Sequence, residues 1–278
     1  FIPKGGQLFI MTPNHEMIHG AYTHLNNHNS RQFSTPHLKG DITVVEYYEP
    51  AGIQENLSLI ITEIIHDYRD IMNYSNDERD WECGVNVICE TGSEYQGAIN
   101  SVAFLDMGGF ICSGAMVNNV RQDLTPYFLT AWHCVDGDNP STFRFYFNKM
   151  ASSCENTWGS AGEYAYSSDL VADSDGISHL PESESPGGDW ALLLIDDEID
   201  EDWEVFYAGW DATGDYPSIS CGVHHPGGTG KKINYDDDTA YGAWWDNASH
   251  GLTHWQVNWD EGGSEGGSSG SPVFNERF

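Results

Sequence analysis

The chain has 278 residues, 39% of them hydrophobic and 13% aromatic, enough apolar matter to core one large domain or two modest ones. Lys and Arg total 11 against 43 Asp and Glu, a formal net charge of -32, which repels phosphate backbones and anionic lipid headgroups and argues against nucleic-acid and membrane-surface roles. Ten Trp, 14 Tyr and 12 Phe argue against disorder as the source of that acidity.

No apolar run reaches the roughly 18 residues of a membrane span. The chain opens at Phe1 with neither Met nor a basic-then-apolar leader, as expected of a processed chain or a fragment. Residues 1–78 show short strand-like runs between turn signals: Gln7–Thr12, Asp41–Tyr48 and Leu57–Ile65. Ile42, Val44, Glu46 and Tyr48 alternate with Thr43, Val45 and Tyr47, a period of two, so a small β-sandwich is expected here. The polar stretch Asn73–Arg79 suits an exposed linker to a second domain at 79–278.

Within the first segment, His15-Glu16-Met-Ile-His19 matches the H-E-x-x-H pattern, which on a helix sets two imidazoles around zinc. Pro13 and Asn14 before it and Gly20 after it leave too little helix. His24 and Tyr22 also miss the spacing of a third ligand, so a loop or strand is the expectation and a zinc metallopeptidase the lesser rival.

From Asp80 onward the pattern stays β. Phe143, Phe145 and Phe147 share one strand face, as do Trp255, Val257 and Trp259. Ala191–Ile195 reads as a continuous apolar strand covered on both sides. Acidic or Gly-rich loops intervene, and no helical run exceeds a couple of turns, so the fold class is all-β. The acidic groups Asp173-Ser-Asp-Gly176 and Asp236–Asp238 lack the full spacing of a calcium loop and read as solvated surface. Trp244 and Trp245 could line a groove, although burial is the commoner fate of Trp.

The cysteines are Cys83, Cys89, Cys112, Cys134, Cys154 and Cys221. The paired C-x2-C spacing of a zinc site is missing, so three disulfides in an exported domain is the better reading.

Three segments carry chemistry. Tyr127-Phe-Leu-Thr-Ala-Trp-His-Cys134 runs an apolar strand into His133, and Gly188-Asp-Trp-Ala-Leu-Leu-Leu194 sets Asp189 at the mouth of a strand. Gly266-Gly-Ser-Ser-Gly-Ser-Pro-Val-Phe274 is a glycine turn that exposes a serine. Acyl transfer needs a nucleophile, a base, a group that orients the base, and backbone N–H donors aimed at the oxyanion.

Thr-Ala-Trp-His-Cys, Asp-Trp-Ala-Leu-Leu and Gly-Ser-Ser-Gly-Ser-Pro resemble the signature segments of trypsin-like serine peptidases. The resemblance is nearest to the lysyl endopeptidase family of secreted bacterial enzymes. Cys83-Gly-Val-Asn-Val-Ile-Cys89, Cys112-Ser-Gly-Ala-Met-Val-Asn-Asn119, Ala208-Gly-Trp-Asp211 and His224-His-Pro226 extend it, and residues 1–78 resemble the pro-region of such enzymes.

The resemblance implies a double β-barrel in which Ser269 is the nucleophile, His133 the general base and Asp189 its orienting partner. The N–H groups of Gly267 and Ser269 form the oxyanion hole. It pairs Cys112 with Cys134 and Cys89 with Cys154. Cys83 in the family bonds a cysteine beyond the nucleophile, so here it is free, bonded to Cys221, or without its partner.

The resemblance also places the last strands of the second barrel, and the pocket that selects the substrate side chain, beyond Phe278. Where trypsin-like zymogens carry an Asp before the nucleophile this chain has Ser268, so maturation by cleavage near Arg79 is expected without a buried ion pair.

The function expected is a secreted serine endopeptidase precursor acting on polypeptides, with no cofactor, and with its own pro-region as inhibitor or chaperone. The acidity mildly favours cutting after basic residues. A non-catalytic, structural or partner-binding form of the fold is the alternative.

Overall fold

The computed structural model describes residues 1–72, 84–155, 159, 162–174, 188–243 and 254–275. The chain divides into two compact units, Phe1–Arg69 and Asp70–Phe278. Among the described residues no helix is long and apolar enough to cross a membrane.

The first unit is built on β1 (Gln7–Met11), β2 (Ile18–Tyr22) and β3 (Val44–Tyr48), an antiparallel sheet in the order β2-β1-β3. Leu8, Ile10, Met11 and Tyr22 are buried. The sequence led us to expect a sandwich, but the described residues of this unit hold one sheet only. Residues 57–65 form no strand. Ser58 exchanges two hydrogen bonds with Phe1, and the run then leaves Ile60 80% and Ile64 86% exposed. Its apolar residues have strand composition, but no described strand lies alongside to complete a ladder.

The second unit contains β4 (Val85–Asn86), α1 (Gln96–Ser101), β5 (Val102–Asp106), β6 (Ile111–Val117), β7 (Tyr127–Thr130), β8 (Arg144–Tyr146), β9 (Tyr164–Tyr166) and β10 (Ser168–Asp173). It continues through β11 (Ala191–Ile195), β12 (Ser220–His224), β13 (Lys232–Asp236), β14 (Tyr241–Ala243), β15 (His254–Gln256) and β16 (Val273–Asn275). Seven strands pair in the order β10-β11-β7-β6-β5-β8-β9.

The outermost strands of that sheet, β9 and β10, are separated in the chain by Ser167 alone. A flat sheet would hold them about 29 Å apart at the usual strand spacing, far beyond the reach of one residue. The sheet therefore rolls on itself, with the chain bending at Ser167, whose φ is 65°. Inside the roll lie Leu105, Met116, Phe128, Phe143, Phe145, Phe147, Leu193 and Ile195. Strand β11 alternates, with Ala191, Leu193 and Ile195 buried and Leu192 and Leu194 half-buried. One of its faces is thus only partly covered, where full burial on both was expected, because it pairs antiparallel with β10 and β7 around a roll that has one inside. On the other face of the sheet Arg144 of β8 meets Asp106 of β5 in a buried ion pair, Nε to Oδ2 at 2.9 Å.

A second sheet runs β16-β12-β13-β4, and β14 pairs with β15. Val87, Ile99, Val102, Val223, Ile233 and Phe274 form its core. Strand β15 stops at Gln256 and leaves Trp255 45% exposed, so Trp255, Val257 and Trp259 do not form one strand face. The expected linker Asn73–Arg79, the pair Trp244 and Trp245, Cys83, and Asp175 and Gly176 of an acidic group lie outside the described residues.

Candidate active site

The site begins where β7 ends. After Thr130 the chain leaves the ladder and makes a single 3-10 turn, Trp132–Cys134. Cys134 is tied to Cys112 of β6 by a disulfide, which pins this turn to the sheet and leaves the His133 side chain 56% exposed. Strand β11 pairs with β7 so that Ala191 faces Thr130. Continued two residues, the same register brings Asp189 beside Trp132 and His133. Asp189 Oδ1 accepts from the His133 backbone N–H at 2.8 Å, and Oδ2 lies 2.5 Å from His133 Nδ1. A carboxylate only accepts, so Nδ1 carries the proton and Nε2 is left as a lone-pair base.

The serine turn is held from several sides. Ser113 of β6 donates its N–H to Ser269 O at 2.8 Å and its hydroxyl to Gly267 O at 2.8 Å. Gly227 N–H donates to Gly266 O at 2.7 Å, and Ser271 N–H to Ser268 O at 3.1 Å. Gly270 has φ +80°, and a Cβ there would collide with Thr130 Oγ1 and Ser113 O, so only glycine brings the turn this close to the end of β7.

These contacts decide where the amides point. In a trans peptide the C=O and N–H lie on opposite sides. Gly266 O is bound by Gly227 from the protein side, so the Gly267 N–H faces away from it, and Ser268 O closes the turn onto Ser271, so the Ser269 N–H lies on the other side of its peptide from that bond. Among the described residues neither N–H donates to another protein group. A cavity of about 350 Å³ adjoins the turn, bordered by Ser269, Trp259, Glu265, Pro272 and Gly222. Among the described residues no hydrogen bond joins Ser269 Oγ to His133 Nε2.

Comparison with known proteins places this arrangement. The family model described as lysyl endopeptidase, C-terminal domain, matches residues 78–278. The chain belongs to the lysyl endopeptidase family. It is 28% identical over 240 residues to the lysyl endopeptidase of Pseudomonas aeruginosa, covering 78% of this chain and 48% of that protein. It therefore spans about half the length of that relative. Among solved structures it is similar to a thermostable serine protease, AL20, from an extremophilic microorganism, with a TM-score of 0.44, 16% identity, and coverage of 64% of this chain and 80% of that one. The protease Anisep from Arthrobacter nicotinovorans gives a TM-score of 0.44 at 17% identity, covering 63% and 77%.

In this lysyl endopeptidase family member the structure brings His133 and Asp189 together and packs the Ser269 turn against the strand that leads to them. It contains the bonds Cys89–Cys154 and Cys112–Cys134. Cys221 is a buried free thiol, so it does not take the role of Cys83's partner. The sulfurs of Cys112 and Cys134 lie near His133, but as a disulfide they offer no thiolate to a metal.

His15 and His19 do not form a zincin helix. His15 sits in a turn at φ 60°, while His19 is on β2 with Nε2 3.1 Å from His37 O. Sequence reasoning missed Ser113, Thr130 and Asn234 as supports of the serine turn. Ser113 and His224 do stand inside the quoted segments Cys112-Ser-Gly and His224-His-Pro226, but nothing local says what they touch.

Proposed function

We propose that this protein is a secreted serine endopeptidase that cleaves polypeptides through a Ser269–His133–Asp189 acyl-enzyme mechanism. The observation that carries the reading is the doubly hydrogen-bonded His133–Asp189 pair beside a serine turn whose Gly267 and Ser269 amides donate to no described protein group. In the first step Ser269 Oγ attacks the scissile carbonyl carbon while its proton moves to His133 Nε2. The resulting oxyanion is met by the N–H groups of Gly267 and Ser269. As the carbon–nitrogen bond breaks, the imidazolium returns the proton to the leaving amine. Water then hydrolyses the acyl-enzyme with His133 again as base. Asp189 stays ionised throughout and stabilises the imidazolium.

The net charge of -32 would draw basic segments toward the cleft and supports a preference for cutting after basic residues. Two disulfides support an oxidising destination. Residues 1–78 act on this reading as a pro-region released by cleavage near Arg79, and neither nucleic acid nor a membrane surface is a partner.

The missing hydrogen bond between Ser269 and His133 favours a second reading, a non-catalytic form of the fold, although such bonds often close only when substrate binds. Intact-mass measurement with a fluorophosphonate separates the two. One adduct is expected, mapped to Ser269 and suppressed in His133→Ala. A folded chain that takes no adduct would overturn the peptidase reading and leave the non-catalytic one.

A further inference from the structure

Behind the serine turn lies a buried hydrogen-bond network that the acyl-transfer steps leave unused. His224, at the end of β12, is 1% exposed, and Ser268 beside the nucleophile is 8% exposed. His224 Nδ1 lies 2.7 Å from Ser268 Oγ, and its Nε2 lies 3.1 Å from Asn234 Oδ1 on the neighbouring strand β13. The backbone of Gly263 fixes which way Asn234 faces. Gly263 O needs a donor and receives Asn234 Nδ2–H at 3.0 Å, while Gly263 N–H needs an acceptor and finds Oδ1 at 3.1 Å.

The proton inventory follows by elimination. Asn234 Oδ1 only accepts, so His224 Nε2 carries the ring proton. Nδ1 is then the acceptor, and the Ser268 hydroxyl must donate to it. Ser268 Oγ keeps a lone pair for the Glu265 N–H, which reaches it at 3.2 Å. Each hydrogen bond in the chain from Gly263 through Asn234, His224 and Ser268 to the Glu265 N–H then has one donor and one acceptor, with no charged group among them. Burial, the largest influence, holds the His224 pKa down at about 4, which agrees with a neutral ring.

The network joins both ends of one loop. Asn234 grips Gly263 at the loop's start, and His224 grips Ser268, the residue between the Gly267 and Ser269 amides. A backbone rotation at Ser268 would turn the Ser269 N–H with it, and the bonds to the Ser268 side chain resist that rotation. We propose that His224, set by Asn234, is a positioning residue for the oxyanion hole: a charge-neutral lock on Ser268 that fixes the peptide carrying the Ser269 N–H. The proposal rests on the serine peptidase reading and adds the device that aligns its oxyanion donors without an ion pair.

Two measurements on the full chain test it. The first needs no variant: long-range 15N NMR of the histidine side chains at neutral pH. His224 is expected as the Nε2–H tautomer with Nδ1 accepting. A ring protonated at Nδ1, or on both nitrogens, overturns the lock.

The second is the rate of fluorophosphonate labelling at Ser269. Ser268→Ala leaves Nδ1 without its donor and is expected to lower the limiting labelling rate about tenfold to hundredfold, less than deletion of an oxyanion donor outright. The concentration for half-saturation should stay unchanged. Ser268→Thr, which keeps the hydroxyl, should restore most of the rate. Asn234→Ala combined with Ser268→Ala should slow labelling no further than either alone, since both break one chain. A wild-type chain that fails to label overturns the peptidase reading itself. A wild type that labels, with Ser268→Ala labelling equally fast, overturns the lock alone.

Discussion

Both carboxylate oxygens of Asp189 are engaged by His133, one by its backbone N–H at 2.8 Å and one by its ring at 2.5 Å. A single side chain therefore fixes where the histidine sits and which nitrogen holds its proton. In Asp189→Asn an amide N–H would face Nδ1, push the ring proton to Nε2 and remove the base. Labelling of Ser269 by a fluorophosphonate should slow by about 10⁴-fold. An Asn variant that labels at the parent rate would show that Asp189 does not set the tautomer.

The two disulfides should separate by function. Cys112 and Cys134 are 22 residues apart and Cys89 and Cys154 are 65 apart. Chain entropy then assigns them about 3 and about 4 kcal/mol of stability respectively. Only the first pins the turn that carries His133. Replacing both members with Ser should, for Cys112–Cys134, cut labelling as well as stability. For Cys89–Cys154 it should lower the denaturant midpoint with labelling of the folded fraction unchanged. Equal effects on labelling would refute the assignment.

Gly270→Ala tests the close packing of the serine turn. The new Cβ meets Thr130 Oγ1 and Ser113 O at a backbone angle of φ +80°. Strain from the angle alone is about 1–3 kcal/mol, and relief requires the turn to move away from the strand leading to His133. The variant should fold less stably and label at least tenfold more slowly. The same substitution at Gly52, also at positive φ but with open space around it, should cost stability without the loss of labelling.

Lys231 gives a pH-dependent stability. It is fully buried, donates to Ile99 O at 2.6 Å, and has its pKa lowered by burial from 10.5 to about 7. Between those values the unfolded chain binds more protons than the folded one, so stability falls as pH drops from 10.5 to about 7. Below that the penalty is constant. Lys231→Met should therefore gain about 2 kcal/mol at pH 7, net of the partner lost by Ile99 O, and gain less at pH 10. Urea melts at the two pH values measure this, and a gain that does not change with pH would contradict it.

The sequence alone determined the strand-rich class and the three chemical segments. Each of these depends on neighbours in the chain: period-two alternation at Val44–Tyr48, glycines flanking Ser269, and an apolar strand running into His133. Local pattern failed where a partner was required. Leu57–Ile65 has strand composition, but a strand exists only when another chain segment supplies a ladder of hydrogen bonds, and among the described residues Phe1 bonds to Ser58 alone. Trp255, Val257 and Trp259 fail for a related reason, since β15 ends at Gln256.

What only the tertiary structure decided is long-range. Ser113 reaches Gly267 across 154 residues, and His224 reaches Ser268 across 44. Gly227 N–H likewise reaches Gly266 O and so turns the Gly267 amide, and no periodicity or motif encodes a peptide's orientation. The serine is legible in the text because chemistry and turn geometry restrict it locally. The direction of the amides around it depends on groups remote in the chain, such as Gly227, that bind the carbonyl side of their peptides.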